Sequence, residues 1–506
     1  MFRPLWLFCF ALVATLGPHG TSAFRHERGG ELLGEEGGAS CEEVVSGSLP
    51  RNSWARWSDC KCPAGLVIAG GAPECIRVLG ERYFSKDLPP HICRCVEESD
   101  GSGVPIHDSS QYVLHKLNMT KYPLARCLDG SPGAFHVLGS SRFASRRKWV
   151  INHNGGGWCS MDVPFSQELM MDHCYNRSNG GLGGSKWYAN MPNTTMGDWL
   201  SVDPATNPLM HDWNKVSLVY CDGGSFSGRN LTTPIVEGKP LYFRGHYILE
   251  AIIDTLLHDF GLDLATDVVV GGYSAGSLAA YLHTEQWRRA VPDSAFVATL
   301  GDGGIFLDWA QSKPAQASST YAAAIRSDFH AFNVSSGVNA DCVAAYAAAA
   351  GDIANCYFAE HTLPFIITPV FALQSVVDAW QLQNILGLSP PFDDEADLGI
   401  VNEYRRLGTS RILDALLTKS RGGAFVDTCV HHCGMFGSLR AKDVRMADAF
   451  REWYLMQRAA WKDGHLPTGR KAFWQAQQFP CKDCCPNSEK GGDPNLDSSF
   501  LMLAAL

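Results

Sequence analysis

From about Tyr112 onward, short apolar runs alternate with longer segments of helical spacing. Residues 148–152 (KWVIN), 215–220 (KVSLVY), 268–270 (VVV), 294–300 and 365–373 (FIITPVFAL) read as strands, and KWVIN precedes a glycine loop. Residues 249–260 (LEAIIDTLLHDF) repeat apolar positions every three to four residues and read as a helix. Strand and helix in alternation predict an α/β fold with a mostly parallel sheet. Such a sheet is covered on both faces, so a run like VVV needs no polar alternation. An alanine-rich stretch at 318–359 reads as helical, either an insertion that caps the sheet or a further crossover pair. Cys342 and Cys356 bracket part of it, near enough in sequence to bond.

The chain outside this domain has a different texture. Residues 1–23 read as a signal peptide, with Arg3, an apolar stretch at 5–16 and a small-residue cleavage site Thr21-Ser22-Ala23. Residues 24–40 are rich in glycine and glutamate and are expected to be disordered. Residues 41–96 carry Cys41, Cys60, Cys62, Cys75, Cys93 and Cys95, the spacing of a small disulfide-stapled module. A linker is expected at 97–111, the α/β domain at 112–480 and a cysteine-containing tail at 481–506.

Composition narrows the classes. Of 506 residues, 45% are hydrophobic, enough for a large core. The formal net charge of −10 repels phosphate backbones, so no nucleic-acid partner is expected. No segment after the signal is apolar for long enough to span a membrane. The 18 cysteines fit an oxidising compartment, and removal of Cys9 with the signal leaves an odd number. Sequons at Asn118, Asn176, Asn193, Asn230 and Asn333 fit a secreted glycoprotein.

The candidate chemistry sits where VVV ends. Gly272-Tyr273-Ser274-Ala275-Gly276 is a G-x-S-x-G between a predicted strand and a predicted helix. Such a turn exposes its serine at the carboxyl end of the sheet and aims the next N–H, here that of Ala275, at a developing oxyanion. A serine hydroxyl needs a base, and the base needs an orienting acid. In chain order, Asp378 follows the fifth strand, and His431-His432 lie between Cys429 and Cys433, cysteines that could pin the loop. His431 and His432 both remain open as the base, and Asp222 and Asp302 are alternative acids or structural polar groups in glycine-rich loops. His153-Asn154-Gly155-Gly156-Gly157-Trp158-Cys159 fits the second half of an oxyanion hole, because its glycines let backbone N–H groups approach a carbonyl. No third ligand has the spacing for a metal at the histidine pair, so neither a metal nor a cofactor is expected.

Segments spread through the domain then resemble one family, the pectinacetylesterase/Notum carboxylesterases. They are CLDGSPGAFH from Cys127, GGGWC from Gly155, NPLMHDWNKVSLVYCDGGSFSG from Asn207, LYFRG from Leu241, GGYSAG from Gly271, GDGGIFLD from Gly301, TPVFALQSVVDAWQ from Thr368 and TCVHHC from Thr428. The resemblance implies an α/β-hydrolase-like fold with helical insertions. It implies Ser274 as nucleophile, Asp378 as acid and His432 as base, with the N–H groups of Gly157, Trp158 and Ala275 as oxyanion donors. It also implies disulfides Cys127–Cys221 and Cys159–Cys174. Two substrates follow from it: acetyl groups on a polysaccharide such as pectin, which the spellings GGGWC and YCDGGSFSG favour, or a lipid on a protein. A catalytically idle glycan- or receptor-binding protein is the remaining expectation. The plant spelling of the elbow differs here, since Tyr273 replaces a cysteine and Ser277 a glycine.

Overall fold

The computed structural model describes residues 105, 107–159, 167–309, 321–388, 392, 394–417, 421–441, 443–464, 471–475, 477–481 and 485, together with the backbone of two short strands. Those strands, Leu66–Ile68 and Cys95–Glu97, pair antiparallel. The expected signal peptide, the 24–40 segment, and most of the cysteine-rich module, linker and tail lie outside the described residues.

A ten-stranded sheet is the frame. Its strands are β1 (Gln111–Lys116), β2 (Ala134–Leu138), β3 (Lys148–His153), β4 (Met191–Pro192), β5 (Asn214–Leu218), β6 (Asp267–Tyr273), β7 (Phe296–Asp302), β8 (Val370–Ser375), β9 (Gly422–Asp427) and β10 (Lys471–Trp474). They lie in the order β10-β9-β8-β7-β6-β3-β5-β2-β1-β4. From β10 to β5 all neighbours run parallel, and β2, β1 and β4 finish the sheet antiparallel. β6 is central, with Val268 beside Val297 of β7 and Trp149 of β3.

The valine run shows why the sheet must be covered twice. Val268 and Val270 join the core on one face, with Ile252 of α2 (Gly245–Asp259) and Leu278 of α3 (Ala275–Ala290). Val269 joins a separate cluster on the other face, with Phe450 and Trp453 of a C-terminal helix, Met446–Lys462. Each fully buried valine contributes roughly 1.5–3 kcal/mol, and only a two-sided layer recovers it for all three.

β8 begins later than the apolar run FIITPVFAL predicts. Leu363–Phe365 forms a 3₁₀ turn, and the N–H groups of Ile367 and Thr368 donate to the Glu285 carboxylate at 2.8 Å each. Pro369 has no N–H to give, so ladder pairing starts at Val370. The apolar pattern does not mark β1, β2, β4, β9 or β10; β4 is two residues long and β9 opens on two glycines. The alanine-rich stretch forms α4 (Tyr321–Ala331) and α5 (Ala340–Ala348) within the long connection from β7 to β8. Asn339 caps α5, accepting N–H bonds from Asp341 and Cys342 at 3.0 Å each.

Disulfides join Cys127 to Cys221, Cys159 to Cys174, Cys342 to Cys356 and Cys429 to Cys485. Cys429 and Cys433 therefore do not close the histidine loop between themselves; Cys433 is a buried free thiol.

Candidate active site

β6 ends at Tyr273 and α3 begins at Ala275, leaving Ser274 alone at the turn. Its φ of 56° and ψ of −128° are unusual for a residue with a side chain, a strain of about 1–3 kcal/mol that must be held from outside. The hold is visible. Ser274 N–H donates to Asp302 O at 2.9 Å, and its C=O accepts from Ser277 and Leu278 at 2.9 and 3.1 Å. Its flanking glycines have no room for bulk: a Cβ on Gly272 would meet Gly276 O at 2.1 Å, and one on Gly276 would meet His153 O at 2.1 Å.

The two loops beyond β8 and β9 bring in the partners. His432 Nε2 lies 2.7 Å from Ser274 Oγ. His432 Nδ1 lies 2.8 and 3.0 Å from the two carboxylate oxygens of Asp378. Asp378 is fully buried and also caps α6 (Ala379–Asn384), accepting the Gln381 N–H at 2.9 Å. Helix capping and histidine orientation coexist in one carboxylate. His431 turns the other way, its Nε2 3.0 and 3.2 Å from Asp427. Burial opposes a charge on His431, but Asp427, with Asp302 and Asp378 behind it, outweighs that and raises it to about 9. Of the two histidines, His432 faces the serine and His431 is an internal cation.

The histidine loop is tied down at several points. Val376 N–H donates to Asp427 O at 2.9 Å and Ala379 N–H to His431 O at 3.0 Å. Ser375 Oγ donates to Cys429 O at 2.6 Å. Asp302 bridges to the elbow: its backbone C=O holds Ser274 N–H, and its carboxylate accepts Gly434 N–H at 2.9 Å. Burial raises Asp302 to about 8 despite the nearby His431 charge. Asp222, likewise raised by burial to about 7, accepts Phe226 N–H at 2.9 Å. Both are structural acids, and neither bonds His432 among the described residues.

The glycine loop closes the other flank. A Cβ on Gly155 would lie 2.3 Å from Tyr273 O and 2.9 Å from Ser274 Cβ, so the loop touches the elbow directly. Gly157 O accepts from the Tyr220 hydroxyl at 2.6 Å, and Gly156 O from Arg177 at 2.8 Å. Ser225 Oγ donates to Ala275 O at 2.8 Å and accepts from the Trp158 indole at 2.9 Å. Ala275 occupies the first position of α3, where a helix offers its N–H no internal partner. Sequence reading missed Arg177, Tyr220 and Ser225; nothing in their spacing marks them, although Tyr220 and Ser225 fall inside YCDGGSFSG.

Beside His432 the space is aromatic. The rings of Phe306 and Trp380 lie 6.0 and 6.1 Å from that of His432. Trp158, Phe306, Tyr321 and Trp380 pack mutually at 5.0–6.0 Å. Tyr321 comes from α4, so the helical insertion borders the site.

Comparison with known proteins gives the family. The model of the pectinacetylesterase family matches residues 108–486. The chain belongs to that family. It is a carboxylic ester hydrolase. Among curated relatives, pectin acetylesterase 5 of Arabidopsis thaliana is 29% identical over 387 residues, covering 69% of this chain and 84% of that protein. The palmitoleoyl-protein carboxylesterase notum1 of Xenopus laevis is 26% identical, covering 74% of this chain and 73% of that protein. Among solved structures, the Wnt deacylase Notum from Drosophila superposes with a TM-score of 0.61 at 22% identity, covering 74% of this chain and all of that one. That structural likeness establishes the enzyme's fold. Of the sequons, Asn118, Asn176 and Asn333 are exposed, while Asn193 and Asn230 are half-buried. Among the described residues no helix is long and apolar enough to cross a membrane.

Proposed function

We propose that the enzyme is a secreted serine esterase that removes acetyl groups from a polysaccharide such as pectin. The observation that carries the reading is the unbroken line from Ser274 Oγ through His432 to buried Asp378, at 2.7 and 2.8 Å. In this reading His432 Nε2 takes the Ser274 proton as Oγ bonds to the ester carbon. Asp378 fixes the tautomer and steadies the imidazolium. The N–H groups of Gly157, Trp158 and Ala275 receive the oxyanion, each contributing on the order of 2.7–4 kcal/mol. The intermediate collapses by breaking the carbon–oxygen bond to the sugar, whose oxygen leaves with the proton from His432. Water then gives a proton to His432 and its oxygen to the acyl carbon. The bond from the acyl carbon to Ser274 Oγ then breaks, Oγ regains the proton from His432, and acetate departs.

The acetyl preference is supported by the aromatic wall. A deep acyl pocket would leave its lining rings open to solvent. Trp158, Phe306 and Tyr321 are only 2%, 1% and 5% exposed. The curated pectin acetylesterases point to the same chemistry, whereas the Notum relatives favour removal of a lipid from a protein. The signal peptide and disulfide bonds support secretion, with glycosylation at the five sequons. The test is release of acetate from acetylated pectin by wild type and Ser274→Ala, beside deacylation of a palmitoleoylated peptide. Ser274-dependent acetate release with an untouched lipopeptide is expected. The reverse pattern would replace the polysaccharide by an acylated protein, and activity surviving in Ser274→Ala would remove the mechanism.

A further inference from the structure

Arg177 and Tyr220 take no part in the reaction as written, yet each makes one specific bond to the glycine loop. Arg177 closes the helix α1 (Gln167–Arg177), and its Nη2 donates to Gly156 O at 2.8 Å. Tyr220 lies just past β5; its hydroxyl donates to Gly157 O at 2.6 Å and accepts from Ser225 N–H at 3.1 Å. Tyr220 is 1% exposed. Both anchors stand on cross-linked backbone. Cys174, three residues before Arg177, bonds Cys159 beyond the loop, and Cys221, next to Tyr220, bonds Cys127.

The peptide geometry gives these two bonds a consequence. Both loop peptides are trans. In a trans peptide the C=O of one residue and the N–H of the next point in opposite directions. Turning Gly156 O toward Arg177 therefore sends Gly157 N–H the other way. Turning Gly157 O toward Tyr220 does the same for Trp158 N–H. Gly156 and Gly157 have φ of +152° and +65°, a region glycine visits freely, so the loop has little stiffness of its own. The third donor follows the same rule, because Ser274 O is held by the N–H groups of Ser277 and Leu278 and Ala275 N–H points away from them. Each N–H assigned to the oxyanion belongs to a peptide whose carbonyl is pinned. A cationic guanidinium on one of those carbonyls also polarises its peptide and strengthens the N–H as a donor.

We propose that Arg177 and Tyr220 are positioning residues for the oxyanion hole, aiming Gly157 and Trp158 N–H at the tetrahedral oxygen. The inference rests on the serine-esterase reading above. It differs from a purely structural role in one respect: it makes the transition state, and not the ground state, sensitive to both side chains.

The full chain, made in an oxidising host, is compared with Tyr220→Phe, Arg177→Met, Arg177→Lys and Ser274→Ala. Turnover of 4-nitrophenyl acetate is measured with the affinity for phenyl trifluoromethyl ketone, whose serine adduct carries an oxyanion, and for acetophenone, which forms no such adduct. Losing a donor outright lowers kcat roughly 10²–10³-fold, so loss of aim in Tyr220→Phe and Arg177→Met is expected at about 10–100-fold. KM stays within about threefold, the affinity for the fluoroketone falls with kcat, and acetophenone binding is unchanged. Arg177→Lys recovers part of the loss. A Tyr220→Phe protein with wild-type near-ultraviolet dichroism and wild-type kcat overturns the proposal. So does equal loss of affinity for the two ketones. If Ser274→Ala still turns over the ester, the serine-esterase reading has failed instead.

Discussion

The loops on the two sides of Ser274 are held by different means. The histidine loop is tied to the ends of neighbouring strands: backbone bonds join Val376 to Asp427 and Ala379 to His431, the Asp302 carboxylate takes Gly434 N–H, and Cys429 is bonded to Cys485. Its strands β8 and β9 already run side by side, so their carboxyl ends deliver Asp378 and His432 to one place. The glycine loop has no comparable ladder to continue. It rests on the bulk-free contact of Gly155 with the elbow, on the Cys159–Cys174 disulfide, on the Trp158 bond to Ser225, and on Arg177 of α1 and Tyr220 just past β5, whose side chains hold two of its carbonyls. In the proposed mechanism the proton-transfer groups thus stand on loops at the sheet's carboxyl end, while two of the three oxyanion donors lie in a loop whose carbonyls are held by remote side chains. The first is expected to tolerate change in its surroundings better than the second.

The largest expected effect breaks the histidine side. Asp378→Asn keeps the size but favours the wrong tautomer of His432, and kcat should fall by about 10³–10⁴-fold in a steady-state ester assay. A loss below tenfold would mean that Asp378 is only the cap of α6. The next breaks the glycine side. Gly155→Ala places a methyl 2.3 Å from Tyr273 O, a backbone atom that cannot step aside cheaply. Displacement of the loop by a fraction of an ångström to 1 Å should lower kcat by up to about 10²-fold, with KM little changed. Wild-type kinetics in that variant would show the loop to be farther from the chemistry than its contacts imply. The smallest sharpens how the histidine loop is held. His431 is raised to about 9 in the fold, above its ordinary imidazole value. A group so raised stabilises the fold fully below its unfolded pKa of about 6.5 and loses that contribution as pH rises through about 9. The excess stability of wild type over His431→Gln should therefore shrink across that window, by on the order of a few degrees in thermal midpoint. A gap that widens with pH would reverse the sign assigned to the His431–Asp427 pair.

What the sequence conveys follows the same division. The elbow was legible because a strand of three valines, two glycines and a small-residue helix occur together, and each is a local requirement. Chain order placed Asp378 and His432, and the family resemblance favoured His432 over its neighbour; the structure turns His431 onto Asp427. The start of β8 was misjudged because Glu285, more than 80 positions away, captures the N–H groups of Ile367 and Thr368. Arg177, Tyr220 and Ser225 stayed invisible for a related reason. Their roles exist only after β5, α1 and the glycine loop have been brought together, and no period or spacing records a bond across 21 or 63 residues. Of the two cysteines expected to pin the histidine loop, Cys429 does so through Cys485 of the tail, a partner that sequence spacing does not mark, and Cys433 stays a buried thiol.

The central claim is that Ser274 is an activated nucleophile with a short acyl pocket beside it. The most direct measurement is turnover of 4-nitrophenyl acetate and octanoate by wild type and Ser274→Ala in parallel. Wild type alone should turn over the esters, with acetate well ahead of octanoate. Equal turnover by Ser274→Ala would contradict the nucleophile, and octanoate ahead of acetate would contradict the closed aromatic wall of Trp158, Phe306 and Tyr321.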